Sequence, residues 1–180
     1  MSDTDDQGGS KRRLRKKVGK RLRGLLNLPR HAPEKAIGRS EQATEITDER
    51  EEEITVREDR ILYVASRPIP EGKMLRKVTV TIVSKDQGWS NYPEDYGTYR
   101  NSWTWFELSV GSRDSGEKWR REVVRNLHAH GNFKEHTVEI SDGELYERAR
   151  SGDVLTVWAL AEYPIWRNTV KKVTIRCVIE

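Results

Sequence analysis

All six Trp, all six Tyr and both Phe of this 180-residue chain lie after position 60. Large apolar side chains are what a fold buries, so this distribution places the hydrophobic core in residues 61–180. The first sixty residues contain no aromatic side chain and are dense in charge, and such a segment cannot offset the entropy of ordering. We therefore predict a disordered arm over residues 1–60 and one folded domain over residues 61–180.

Within the predicted domain, short segments alternate apolar and polar residues with a period of two. Val78, Val80 and Ile82, for example, alternate with threonines. Further candidate strands, separated by turns rich in Gly, Ser, Asn and Asp, span residues 103–110, 119–127, 133–140, 154–161 and 170–179. Only residues 144–150 have a helical pattern. This organisation predicts an all-β fold, an antiparallel β-sandwich.

The charge of the chain is distributed unevenly. The net charge of the whole chain is +4. Residues 11–30 contain ten Lys or Arg and no acid, whereas residues 41–60 contain nine acids and three Arg. The single cysteine, Cys177, excludes an internal disulfide; we also find no secretory signal and no apolar run long enough to span a bilayer. We therefore expect a cytoplasmic location, with membrane association or the nucleus as alternatives.

The basic segment has an amphipathic pattern, because its apolar residues recur at steps of three and four along a candidate helix over residues 11–28. The residues predicted to dock on a membrane or a partner are Arg12, Arg13, Leu14, Lys16, Lys17, Val18, Arg21, Leu22, Leu25 and Leu26. Three other interpretations stay open: a nuclear-import signal, non-specific nucleic-acid binding, and a solvated tail that balances the acidic residues Glu49, Glu51, Glu52 and Glu53. Nucleic acid is disfavoured because no aromatic side chain is interleaved among the cations.

Two passages of the domain contain distinctive strings. They are SKDQGWS (84–90), YGTY (96–99) and SWTWFE (102–107) in the first passage, and GDV (152–154), WALAEYP (158–164) and WRN (166–168) in the second. Together they resemble a group of uncharacterised, largely fungal, cytoplasmic proteins, over about residues 61–180. The resemblance implies a galactose-binding-like jelly roll, the fold of discoidin-like and many carbohydrate-binding domains. That fold hosts binders of sugars, lipids, peptides and nucleic acids, so the resemblance does not fix a ligand.

The segment between the strands around residues 80 and 105 is long for a hairpin connection and rich in aromatics, which is typical of a functional loop. A sugar site needs aromatic faces and a few fixed polar groups. Candidate ligand-binding residues in this loop and in the later loop at 162–168 are Asp86, Gln87, Trp89, Tyr99, Arg100, Glu162, Tyr163, Trp166, Arg167 and Asn168. The alternative is that the aromatics plug the end of the sandwich and the polar residues cap backbone groups.

Metal and nucleophile chemistry find little support in the sequence. On a strand, His128 and His130 would share a face, but no cysteine lies near them and the closest acids do not converge, so we predict surface or turn histidines and no metal. Nucleophile-elbow, phosphate-loop and zinc-protease motifs are not found, and Cys177 lies on the apolar face of a predicted strand.

The sequence therefore predicts a non-catalytic intracellular recognition module without a cofactor. Its partner would be a protein, a glycan or a lipid headgroup, and the basic arm would dock on an anionic membrane or a partner. One alternative is a structural or protein-interaction domain whose aromatics form a rigid plug. The other is a hydrolase that acts through two carboxylates, with candidates Asp86, Glu94, Asp95, Glu107 and Glu162.

Overall fold

The structure of the chain is a computed structural model that describes residues 42–180. These residues form eight strands and one short helix. The strands are β1 (Thr44–Val56), β2 (Asp59–Ala65), β3 (Leu75–Lys85), β4 (Thr104–Ser112), β5 (Gly116–Arg125), β6 (Lys134–Glu139), β7 (Val154–Ala161) and β8 (Asn168–Ile179), and the helix is α1 (Gly143–Arg148).

The strands pair into two four-stranded antiparallel sheets. The first sheet has the order β1-β8-β3-β6 and the second has the order β2-β7-β4-β5. The first strand thus pairs with the eighth, the second with the seventh, the third with the sixth and the fourth with the fifth. This is the connectivity of a long hairpin wrapped into a jelly roll. The predicted all-β, antiparallel sandwich is therefore confirmed.

The core lies between the two sheets and follows the alternation seen in the sequence. One face of β3, β4 and β8 is buried along its whole length, which a period of two requires when that face packs on the opposite sheet. The inward residues are Val78, Val80, Ile82, Phe106, Leu108, Val110, Val173, Ile175, Cys177 and Ile179. The alternation predicted for Val78, Val80 and Ile82 and the inward position predicted for Cys177 are confirmed.

The helix α1 lies close to the position predicted for it. It begins after Asp142, whose carboxylate accepts a hydrogen bond from the backbone N–H of Glu144 at 2.9 Å, an ordinary N-cap. The fully buried Leu145 anchors it to the core. Among residues 42–180, no helix has the length and apolar character needed to cross a membrane.

The predicted boundary of the domain at residue 60 is wrong. Residues 44–56 form β1, which pairs with β8 along almost its whole length, and β2 begins at residue 59. Aromatic content could not reveal β1, because its contributions to the core are the aliphatic residues Ile46, Ile54 and Val56, spaced between charged residues. Residues 1–41, including the predicted docking segment, lie outside the described residues.

The acids of β1 are balanced by cations of the neighbouring strand β8. The ammonium group of Lys172 lies 3.3 Å from a carboxylate oxygen of both Glu49 and Glu51. Arg176 lies 3.1 Å from Glu45. Because salt bridges to β8 balance its acids, the acidic segment β1 can form the edge of a sheet.

Candidate functional site

Three loops and one turn meet at the same end of the sandwich, because successive connections in an antiparallel jelly roll leave from alternate ends. They are the loops after β3 (residues 86–103), after β5 (126–133) and after β7 (162–167), and the turn after β1 (57–58). We call this the loop end. Both loops that carry the predicted ligand residues belong to it.

Asp86, directly after β3, holds several parts of the loop end together. Its carboxylate accepts hydrogen bonds from the backbone N–H groups of Gln87 (2.9 Å) and Ala129 (2.8 Å), and from the Thr104 hydroxyl (3.4 Å). Asp86 is only 2% exposed, and burial raises its pKa to about 6 although these hydrogen bonds oppose the rise. The bond to Ala129 supports a φ of +53°, which non-glycine residues rarely adopt. Asp86 therefore fixes the loop backbone.

A second buried polar network joins the two sheets beneath the loops. Asn126 accepts a hydrogen bond from the Ser84 hydroxyl at 2.6 Å. It donates to the Thr104 hydroxyl and to the side-chain oxygen of Asn168, both at 3.0 Å. Asn168 donates in turn to backbone carbonyls of β4 and β7 at 3.1 and 3.0 Å. Because these buried amides find their partners inside the protein, they make the base of the loop end rigid.

The loop of residues 86–103 is ordered by its own contacts. Pro93–Asp95 form a single 3-10 turn. The buried Asp95 accepts a hydrogen bond from the side chain of Asn101 and forms a salt bridge with Arg100, whose Nε lies 3.1 Å away. Arg100, a predicted ligand residue, is thus engaged in holding the loop.

Trp166 closes the loop end from the inside. It is 5% exposed, and its ring meets the ring of His128 edge-on with centroids 5.2 Å apart. His128 is fully buried, and its Nδ1 donates to the carbonyl oxygen of Asn101 at 2.7 Å. Its Nε2 has no hydrogen-bond partner within residues 42–180. Trp166 therefore packs as a plug, which is the alternative interpretation for this residue.

Gln87 links the loops that follow β3 and β7. Its side-chain amide donates to the carbonyl oxygen of Trp89 at 3.0 Å, and its side-chain oxygen accepts from the backbone N–H of Arg167 at 3.3 Å. Gly88 lies against Gly131 of the third loop, so closely that a Cβ at Gly88 would stand 3.1 Å from the Gly131 Cα. The loops thus lie side by side, as we expect for a jelly roll.

Exposed apolar side chains are concentrated at the loop end. Eight large apolar side chains are exposed in the described part of the chain, and six of them belong to the loops after β3 and β7. We call these six the aromatic rim: Trp89, Tyr92, Tyr96, Tyr99, Tyr163 and Ile165. A concentration of this kind is typical of a binding surface on a soluble protein.

The ten predicted ligand residues divide by exposure. The exposed residues at the loop end include Trp89, Tyr99, Glu162, Tyr163 and Arg167. Gln87 forms hydrogen bonds to two loops, and Arg100 forms a salt bridge within its own loop. The structure corrects the assignment of Asp86, Trp166 and Asn168, which are buried and support the loops instead of facing a ligand. Sequence reasoning missed Tyr92, Tyr96 and Ile165, although they lie in the two selected loops and an aromatic or apolar side chain in a loop was the available signal.

The histidines do not form the shared strand face that a metal pair would need. His128 and His130 lie in the loop after β5, where His128 is buried and His130 bonds the backbone carbonyl of Asn132 at 2.9 Å. His136 belongs to β6 and packs edge-on against Tyr99, with ring centroids 6.1 Å apart. Each of these three histidines therefore has a local structural role.

Three of the five carboxylates considered for hydrolysis also have structural roles. Asp86 and Asp95 are buried and hydrogen-bonded to loop groups. Glu107 belongs to β4, where it lies 3.5 Å from the guanidinium group of Arg60. Glu94 and Glu162 are exposed on different loops.

Cys177 is expected to be unreactive in the folded protein. It is buried in β8, and burial raises the pKa of its thiol to about 12. The thiolate is the reactive form, so the native protein should resist DTNB at mildly alkaline pH and react fully in guanidinium chloride. Absorbance of the released thiol measures both rates. Labelling of the native protein at the rate of a free cysteine would contradict this expectation.

Comparison with known proteins leaves the family of the chain open. The resemblance to galactose-binding-like proteins stays a prediction, whereas the jelly roll rests on the strand pairing itself. Because a fold does not determine a function, the function has to follow from the loop end. The chain matches no family model, no curated protein and no solved structure.

Proposed function

We propose that the domain is a non-catalytic recognition module that binds a carbohydrate, or the sugar-like headgroup of a lipid, at the loop end. The observation that carries the proposal is the concentration of six exposed apolar side chains on two adjacent loops. A pyranose or inositol ring presents an apolar face to aromatic side chains and hydroxyl groups to polar ones. An aromatic rim beside exposed polar side chains such as Glu162 and Arg167 suits such a ring.

The aromatic rim stands on a rigid base, which lowers the cost of binding. The networks around Asp86 and Asn126 fix the loop backbone, and several rim side chains are held by neighbours. Tyr163 packs edge-on against Trp103 with centroids 4.9 Å apart, and the Lys134 ammonium group lies 5.5 Å from the Tyr99 ring centre. Side chains ordered before binding lose less entropy when a ligand arrives.

The basic arm completes the proposal. Its cations and leucines in residues 11–28 would dock the protein on an anionic membrane or a partner inside the cell, which would bring the loop end near its ligand. This part of the proposal rests on the amino-acid sequence alone.

A second candidate function is a protein-interaction domain that uses the same surface. The burial of Trp166 against His128 favours it, because one of the two tryptophans expected to contact a sugar serves as a structural plug. Exposed Tyr and Trp side chains also dominate protein interfaces.

Substitution of Trp89, which is 50% exposed, separates binding from folding. We expect Trp89→Ala to weaken binding about five- to thirtyfold, because an aromatic face over a sugar ring contributes about 1–2 kcal/mol. Its melting temperature should stay close to that of the parent protein. Binding would be screened on a glycan array and on vesicles that contain phosphatidylinositol, and then quantified by calorimetry.

Met74→Ala is the matched control, because Met74 is equally exposed but lies in the connection after β2, at the other end of the sandwich. It should leave binding unchanged. The proposal is overturned if neither glycans nor inositol lipids bind, or if both variants bind like the parent protein. A protein ligand whose affinity depends on Trp89 would then support the second candidate.

A further inference from the structure

A small cleft opens at the loop end beside the aromatic rim. It has a volume of about 190 Å³, and its lining includes Arg57, Lys85, Gln87, Arg167 and the hydroxyl-bearing Thr55 and Thr169. Gln87 connects the cleft to the rim, because its side chain also bonds the backbone of Trp89. A ligand ring on the rim could therefore extend a substituent into the cleft.

The register of the first sheet brings the lining of this cleft together. Thr169 of β8 pairs with Thr55 of β1 on one side and with Lys85 of β3 on the other. The two threonine hydroxyls lie 3.1 Å apart. Arg57 follows the end of β1 and Arg167 precedes the start of β8. Three neighbouring strands thus each deliver one cation to the same place.

Three of the cations that line the cleft, Arg57, Lys85 and Arg167, form no salt bridge with a described residue. Residues 42–180 carry 24 Asp and Glu against 21 Lys and Arg, and salt bridges engage most of those cations. Five cations in the loop end or on the strand ends beside it form no salt bridge with any described residue: Arg57, Lys85, Lys134, Arg167 and Lys171. Lys85 and Lys171 place their ammonium groups 4.5 and 5.9 Å from the ring centre of Phe133. The cations that line the cleft are therefore not neutralised by a salt bridge to any described residue, although residues 42–180 carry a net negative charge.

One carboxylate, that of Asp86, also borders the cleft. Its two oxygens already accept hydrogen bonds from Gln87, Ala129 and Thr104, and the residue is almost fully buried. The side chains that face the open part of the cleft are thus the cations, with Arg57 and Arg167 exposed and Lys85 half-buried.

We infer that the cleft binds a phosphate group of the ligand, so that the ligand class is a phosphorylated sugar or inositol, free or as a lipid headgroup. Two guanidinium groups offer paired N–H donors that match phosphate oxygens, and Lys85 adds a point charge. The volume is below the roughly 300 Å³ at which pockets for drug-sized ligands begin, so it suits one charged group and leaves the ring on the rim. This inference rests on the proposed function and names the chemistry of its ligand.

The test compares Arg57→Gln and Arg167→Gln with Arg113→Gln in the full-length protein. Arg113 is an exposed cation without a salt bridge in the turn between β4 and β5, at the opposite end of the sandwich, so its substitution removes the same charge. The basic arm is present in every variant and contributes equally. Calorimetry measures the affinity for an inositol trisphosphate and for myo-inositol. Sedimentation compares vesicles that contain phosphatidylinositol phosphate with phosphatidylserine vesicles of equal charge.

We expect each cleft variant to bind inositol trisphosphate about tenfold more weakly, because each loses charge-assisted hydrogen bonds, while Arg113→Gln stays within about twofold. Myo-inositol should bind far more weakly than its phosphate in the parent protein. Loss of the preference for phosphatidylinositol phosphate vesicles in Arg167→Gln identifies a lipid ligand. Loss confined to the soluble ligand identifies a free phosphorylated sugar or inositol, and both results support the inference.

Three outcomes overturn one proposal or the other. If Arg167→Gln and Arg113→Gln weaken binding of inositol trisphosphate equally, the effect of charge is non-specific, and the proposal that the cleft binds phosphate is overturned. Binding of a neutral ring that needs Trp89 but not Arg167 also overturns the cleft and leaves the recognition module standing. Binding of the phosphate that needs Arg167 but not Trp89 keeps the cleft and overturns the aromatic rim as the ligand surface.

Discussion

Replacing Asn126 with leucine is expected to lower the free energy of unfolding by about 3–5 kcal/mol. Leucine has a similar size but can neither donate nor accept a hydrogen bond. The hydroxyl of Ser84 and the side-chain oxygen of Asn168 would then lose their partner inside the protein, and the Thr104 hydroxyl would keep only Asp86. Each buried polar group left without a partner costs about 1–3 kcal/mol, and two of them act together here.

Urea denaturation measures this loss of unfolding free energy. An unchanged dependence of that free energy on urea concentration shows that the parent protein and Asn126→Leu unfold in the same way. Asn91→Leu is the control, since Asn91 is exposed in the loop after β3 and its change should stay within about 0.5 kcal/mol. A loss below about 1 kcal/mol for Asn126→Leu would show that water replaces the missing partners and that the network does not make the loop end rigid.

The stability of the domain is expected to fall as the pH rises from 3.8 to about 6, because of Asp86. Burial raises the pKa of this carboxyl in the folded state, so in that window the folded protein keeps a proton that the unfolded chain has released. The contribution is fully present below 3.8 and is lost above about 6. A pKa shift from 3.8 to about 6 corresponds to about 3 kcal/mol in the free energy of unfolding.

The comparison with Asp86→Asn isolates this contribution. His136 has a lowered pKa, chiefly because of burial, so its contribution has the opposite sign and increases stability as the pH rises toward 6.5. When the free energy of unfolding of the variant is subtracted from that of the parent protein, the contributions of His136 and of every other group common to both cancel. Urea melts across the window should show the parent protein gaining stability relative to Asp86→Asn as the pH falls from about 6 to 3.8. A difference independent of pH would contradict the raised pKa of Asp86.

The sandwich could be predicted from the sequence wherever a strand contributes large side chains to the core at every second position. Val78, Val80 and Ile82 show this pattern, and their neighbours in β4 and β8 repeat it. The strand β1 could not be predicted in the same way. Its charges become compatible with a sheet only beside Lys172 and Arg176, which lie far along the chain.

The candidate site was predictable as a pair of loops but not residue by residue. Trp89 and Trp166 both lie in the two selected loops, yet one is exposed and the other packs on His128 from a third loop. The cationic cleft could not be predicted from the sequence, because Arg57 lies in the segment that was predicted to be a disordered arm. Only the pairing of β1 and β3 with β8 brings Arg57 and Lys85 next to Arg167.

The position of β8 also determines when the protein can fold during its synthesis. β8 is the last strand of the fold, but it lies between β1 and β3 in the middle of the first sheet. Until residues 168–179 leave the ribosome, both neighbouring strands present long unpaired edges, which makes the nascent chain prone to association. A premature stop codon just before β8 would therefore remove the centre of a sheet, and folding of that sheet has to wait until β8 has been synthesised.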